Sequence, residues 1–216
     1  MKDRLTFYHS KEEKLNVVSH GLGLILSVVA LILLVGRAAS EGTAWHIFSF
    51  SVYGVSLVVL YSASTLYHYV QEPGLRYKLN IFDHAAIYVL IAGSYTPFTL
   101  HVLKGNLGWA LFATVWTIAG AGIAFKLFFT GKFGKLSTVA YVAMGWIALV
   151  AMGPFLKAFE PQGVIWVFAG GFAYTAGAGM FSLKMVRFNH AIFHVFVLAG
   201  SICHFVAVFF FVLPGK

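Results

Sequence analysis

Two histidines stand four residues apart in Asn189-His190-Ala191-Ile192-Phe193-His194, at the mouth of the apolar run Val195 to Val212. On a helix, positions so spaced share a face, and two imidazoles there can reach one metal ion. A third histidine, His68, closes another apolar segment, in Ser64-Thr65-Leu66-Tyr67-His68. Asp83 opens a further one, in Ile81-Phe82-Asp83-His84-Ala85. The other six acids, Asp3, Glu12, Glu13, Glu41, Glu72 and Glu160, fall in the N-terminal arm or in loops. Asp83 alone runs directly into an apolar span, where an unpaired carboxylate is costly.

Three imidazoles with a carboxylate suit zinc, which takes three histidine nitrogens and leaves a fourth position for water. On this reading His68, His190 and His194 ligate Zn2+. Asp83 holds or deprotonates the zinc-bound water, as general base or as a hydrogen-bonded neighbour. Ser64 lies one turn before His68 on the same face, so its hydroxyl reaches the site. The competing reading leaves these histidines at the membrane interface, hydrogen-bonded to loops and headgroups. An isolated HxxxH favours that reading; its coincidence with His68 and Asp83 favours zinc, because ionisable residues within membrane spans mark function.

The elements that must position these residues are membrane helices. The chain is 60% hydrophobic and only 10% charged, with a mean hydropathy of +0.84; a soluble domain carries about 25% charged residues. The net charge of +8 is spread over short loops between apolar runs, a pattern of membrane topology that argues against a nucleic-acid partner. The single cysteine, Cys203, sits in an apolar run and packs as a small hydrophobe, so there is no intramolecular disulfide framework. The first run, Val17 to Val35, is too long for a signal-peptide core even with Ala38-Ala39-Ser40 behind it.

Residues 1–16 form a polar, basic arm with the composition of a short interfacial helix. Residues 17–213 form one seven-helix transmembrane domain, with spans expected at about 17–36, 45–67, 82–103, 108–129, 136–156, 163–183 and 191–213. Breakers separate them at Glu41-Gly42, Pro73-Gly74, Lys104-Gly105-Asn106, Gly131 to Gly134 and Glu160-Pro161-Gln162-Gly163, and Pro214-Gly215 ends the last. Thr96-Pro97 predicts a kink near Gly93 in the third span. Gly171, Thr175 and Gly179 predict a small-residue packing face in the sixth.

Eleven of the fifteen Lys and Arg residues fall on the N-terminal side of the alternating loops and four on the other. The positive-inside rule then puts the N-terminus in the cytoplasm and the C-terminus outside. With that topology His68, Asp83, His190, His194, Asn16 and His20 all arrive at one membrane depth. His20 and His84 each fit a fourth ligand, a proton relay or a polar cap, with support of the ligands or capping of a helix end favoured. His204 lies about 15 Å beyond His194 along its helix, outside the site, as an interior hydrogen bonder or part of a proton path. His9, His46 and His101 carry no expected chemistry.

Together Glu13-x-x-Asn16-x-x-x-His20, Ser64-x-x-x-His68, Asp83 and His190-x-x-x-His194 resemble the pattern of bacterial hemolysin III proteins, within the progestin and adipoQ receptor family. The resemblance covers essentially the whole chain. It implies seven transmembrane helices with a cytoplasmic N-terminus in the bacterial plasma membrane. It also implies zinc on His68, His190 and His194, with Asp83 contacting the metal through water. The family groups with alkaline ceramidases and other membrane hydrolases. The long N-terminal extension of the receptors is absent from this sequence, so a hormone-receptor role does not carry over.

Three functions follow as expectations. The first is an intramembrane zinc hydrolase acting on a lipid amide or ester that enters laterally, with Asp83 and Ser64 as catalytic groups. The second is a non-enzymatic membrane-homeostasis or sensor protein with a structural zinc. The third is a pore-forming cytolysin, as the word hemolysin suggests. Nothing in the sequence specifies an oligomeric state.

Overall fold

The structure, a computed structural model, describes residues 5–213. The arm residues Lys2, Asp3 and Arg4, the terminal breaker Pro214-Gly215 and Lys216 lie outside them. Seven helical segments are long and apolar enough to cross a membrane. They are α1 (Ser10–Glu41), α2 (Ala44–Tyr69), α3 (Pro73–Pro97) with a π-helical turn (Phe98–Val102), α4 (Gly105–Phe129), a composite fifth span, α7 (Pro161–Ser182), and α8 (Asn189–Ala207) with a π-helical end (Val208–Val212). The fifth span joins α5 (Gly134–Gly145), a 3-10 turn (Ile147–Ala151) and α6 (Met152–Ala158).

The outward faces of the helices are apolar, and polar groups are buried inside beside an apolar core. On α1 the buried residues are Glu12, Glu13, Asn16, His20, Gly23, Ser27, Leu34 and Ala38, at the three- and four-residue spacing of one face. Leu22, Ile25, Val29 and Ile32 are exposed on the opposite side. In water that surface would aggregate; among acyl chains it costs nothing, and the polar groups must be satisfied inside the bundle. Residues 10–16, expected as part of a separate arm, are the first two turns of this continuous 32-residue helix.

Local chemistry sets the ends. The Glu72 side chain accepts from the backbone N–H groups of Leu75 and Gly74 and caps α3, with Pro73 in the first turn. Those two donors, Leu75 first, hold the Glu72 carboxyl below the usual carboxylate range. α8 begins after Phe188, whose φ of 59° and ψ of 30° are left-handed, a conformation that costs a non-glycine residue about 1–2 kcal/mol. The Asn189 amide donates to the Phe181 carbonyl at 2.9 Å and holds that entry in place.

Three expectations need correction. The helix runs on through Pro97, and the irregularity falls after it, as the π-helical turn 98–102; Gly93 instead lets α3 approach Ser56 of α2, whose hydroxyl would clash with any Cβ there. The close packing of α7 on α8 uses Gly170 and Gly177, against His204 and Phe196. Gly171 and Thr175 face Trp146 of the fifth span instead, and nothing stands close to Gly179. The fifth span is not one helix: it breaks at Gly145-Trp146.

That break leaves backbone groups without helical partners in the middle of a span, where lipid supplies none. Tyr95 of α3 supplies the partners. Its hydroxyl donates to the Gly145 carbonyl at 2.7 Å and accepts from the Ala148 N–H at 2.9 Å. Tyr141 of α5 donates to the His84 carbonyl at 2.9 Å, and the Trp146 indole donates to Thr175 at 2.9 Å. The fifth span is thus pinned to α3 and α7 by a few side chains, with space between them. Tyr95→Phe keeps the ring and removes both bonds. It should lower stability by about 1–2 kcal/mol in a detergent unfolding titration; an unchanged midpoint would show that the break needs no partner.

Candidate functional site

The chemistry-bearing residues collect at the end of the bundle where α1, α3, α5 and α8 begin and α2 and α4 finish. His68, His190 and His194 are all buried, and each offers a ring nitrogen within 4.8 Å of the others. The Nε2 atoms of His68 and His190 face each other at 3.1 Å. Two nitrogens on one tetrahedral zinc, each at about 2.0–2.1 Å, stand roughly 3.3 Å apart. The spacing therefore fits a shared cation.

The Nδ1 atoms of the same rings point outward, each to a different partner. Glu13 Oε2 lies 2.7 Å from Nδ1 of His68; a carboxylate accepts, so Nδ1 donates to it and Nε2 is the nitrogen turned toward His190. The Asn16 amide lies beside the same nitrogen at 3.3 Å. The Tyr8 hydroxyl lies 3.0 Å from Nδ1 of His190, with the two rings stacked. Burial pushes the Tyr8 phenol far above its ordinary range, so it stays protonated. Ser19 Oγ lies 3.4 Å from Nδ1 of His194. Histidines that bind metals are oriented by such outer hydrogen bonds, and the carboxylate–histidine pair is a recurrent one.

The two adjacent acids of α1 thus serve two other helices. Glu12 Oε1 accepts from the backbone N–H of His190 at 3.2 Å and caps the first turn of α8. Glu13 also pairs with Arg76. Arg76 is wholly buried: its guanidinium donates to the carbonyls of Tyr67 and Val70 at the end of α2 and to that of Thr6, each at 3.0 Å, and lies over the rings of Tyr67 and Phe7. From sequence alone Glu12 and Glu13 read as arm residues, and nothing singles out Arg76. The structure makes them the frame of the site. The signal was present in the spacing of Glu13, Asn16 and His20 on one helical face.

Asp83 stands outside the three-histidine set and lines a cavity beside it, with Ser64, His68 and His84 as the polar neighbours of its carboxylate. Ser64 lines the same cavity, but its hydroxyl lies 2.6 Å from Nδ1 of His20. The His20 ring stacks on that of His194 with centroids 3.5 Å apart, so His20 connects the serine to the histidine set. His84 donates from Nδ1 to the Asn80 carbonyl at 2.8 Å and stays out of the set. His204 donates to the Val167 carbonyl at 3.2 Å, deep between α7 and α8. His46 and His101 stack on each other with centroids 3.8 Å apart, the latter bonded to Ser49 at 2.8 Å; they sit at the far end of the bundle.

The cavity has a volume of about 580 Å³. It starts at His190 and His194, passes Asp83 and Ser64, and extends between α3, the fifth span and α7 as far as Tyr174 and His204. Its size is that of a small-molecule or single-chain lipid site. Beyond the polar end its lining includes the apolar side chains of Leu60, Ile87, Leu90, Ile91 and Val142.

Comparison with known proteins places the chain. A family model described as "Haemolysin-III related" matches residues 8–205. The chain is 48% identical to "Hemolysin-3" of Bacillus cereus over 204 residues, covering 94% of this chain and 93% of that one. It is 45% identical to "Hemolysin-3 homolog" of Bacillus subtilis (strain 168) over 201 residues, 93% and 94% of the two chains. It is also 26% identical to the human "Monocyte to macrophage differentiation factor" over 207 residues, 91% and 83%. Matched along nearly its whole length by this family model and by bacterial relatives of close to half identity, this multi-pass membrane chain belongs to the haemolysin-III related family.

Proposed function

We propose that the chain is an intramembrane zinc hydrolase of a lipid amide or ester. The observation that carries this reading is the orientation of the three histidines: Nδ1 atoms engaged outward by Glu13, Tyr8 and Ser19, beside a lipid-sized cavity that Asp83 and Ser64 line. His68, His190 and His194 would hold the zinc. Bound there, zinc supplies a Lewis acid for a scissile carbonyl and lowers the pKa of water. Asp83 accepts the proton of the attacking water and returns it to the leaving amine or alcohol, so that the acyl C–N or C–O bond breaks to give an acid and an amine or alcohol. Ser64 donates its hydroxyl proton to the oxygen that gains charge, with His20 Nδ1 orienting the hydroxyl. In this reading that end of the bundle faces the cytoplasm from a bacterial plasma membrane, and the excess of Lys and Arg in the loops on that side supports it.

A second reading has its own support. The outer hydrogen bonds link the histidines of α2 and α8 to α1 and to the segment before it, so a zinc there would clamp three helices without any turnover.

Two measurements separate these readings. Glu13→Gln should weaken zinc binding by about 10–100-fold in a competition titration against a chromogenic chelator; unchanged affinity would remove Glu13 from the support of His68. Asp83→Asn should retain zinc yet lose about 10²–10⁴-fold of the zinc-dependent product formation from a mixed panel of acyl amides and esters, followed by mass spectrometry. If the zinc-loaded wild type forms no product while chelation lowers its melting temperature, the structural reading replaces the hydrolase.

A further inference from the structure

The mechanism above does not use Lys126, and this residue is the most unusual one on the cavity wall. It sits on the last turn of α4, where the sequence counts it among the loop cations. In the structure it is 2% exposed. Its ammonium donates to Ser137 Oγ of α5 at 2.5 Å and lies 5.7 Å from the ring centroid of Tyr141. Ser137 takes one of three ammonium protons. Among the described residues no carboxylate stands within ion-pairing distance of it. A buried charge with no counter-charge is costly, and proteins keep one where something else completes the pair.

What could complete it follows from the cavity. Lys126 lines it where α4 meets α5, and Lys135 and Lys184, both exposed, also line it, against the single carboxylate of Asp83. One stretch of the wall is apolar, through Ile87, Leu90, Ile91 and Val142. A ligand that matches both parts has an acidic head and a hydrocarbon tail.

We propose that the cavity binds an anionic amphiphile, its phosphate or carboxylate head paired with the Lys126 ammonium and its acyl chain lying along Ile87, Leu90, Ile91 and Val142. Ser137 and Tyr141 position the ammonium, and Lys135 and Lys184 draw the head group toward the cavity. The assignment deepens the hydrolase reading and rests on it for the view that the cavity is a lipid site: it makes the substrate class an acidic lipid rather than a neutral one.

The test measures equilibrium binding of radiolabelled lauryl phosphate, lauryl alcohol and inorganic phosphate to the purified, zinc-loaded full chain in non-ionic detergent, repeated with the zinc removed. Lauryl phosphate should bind saturably and about ten-fold or more tighter than the alcohol, the scale of one charge-assisted hydrogen bond. Inorganic phosphate should bind more weakly than the ester, because it lacks the chain. Lys126→Gln should abolish the preference for phosphate ester over alcohol, with alcohol binding as the control for folding, and Lys126→Arg should restore it. Equal binding of ester and alcohol to the wild type would overturn the assignment without any variant. So would a phosphate preference that ignores Lys126 and disappears with zinc, or inorganic phosphate binding as tightly as the ester. Each of those outcomes leaves the hydrolase reading standing on the Asp83 measurement, while absence of turnover with the Lys126 preference intact removes the hydrolase and keeps the acidic lipid as a ligand.

Discussion

The rest of the structure depends on one carboxylate. Glu13 sits in the first turn of α1 and holds Arg76 of α3 with one oxygen and His68 of α2 with the other. Arg76 in turn gathers the last carbonyls of α2 and the backbone of Thr6. Removing any member would leave a buried charge or an orphaned carbonyl, a larger loss than the net worth of the bond itself. The same carboxylate accepts from Nδ1 of His68 and so turns its Nε2 toward His190. The frame that joins three helices and the orientation of a candidate metal ligand are therefore one interaction.

The polar interior shares one layout: groups needed for structure and groups available for chemistry stand on opposite nitrogens, or on neighbouring residues. Glu12 caps α8 and Glu13 orients His68. Nδ1 of each histidine is occupied, and Nε2 of His68 and of His190 face each other. Ser64 is held by His20, which stacks on His194. A site assembled this way is rigid before any ligand arrives, which is what an active site and a metal clamp both require.

The fifth span provides the opposite quality. A continuous helix there would pack its whole length against α3 and α7; the break at Gly145-Trp146, bridged by Tyr95, leaves contacts at a few residues and space between them. That space is the cavity that joins the histidine end to the middle of the bundle. Gly171 and Thr175, small residues expected to bring helices together, border this space and receive the Trp146 ring. Small side chains permit either outcome, and the neighbour decides which.

By itself the sequence determined the number of spans, their approximate limits and the depth at which the polar residues gather. Those properties follow from local physics, because bilayer thickness sets the length of an apolar run and helical spacing sets which residues share a face. The convergence of His68, His190 and His194 was also legible, since alternation of the spans carries the end of α2 and the start of α8 to the same side. Only the tertiary structure decided that Glu13, Arg76 and Lys126 are interior, that His20 holds Ser64, and that the fifth span is broken around a cavity. A lysine or glutamate near the end of a span reads the same whether it faces water or a partner. Its partner lies on another helix, 11 residues away for Lys126 and Ser137 and 63 for Glu13 and Arg76, and packing alone brings the two together.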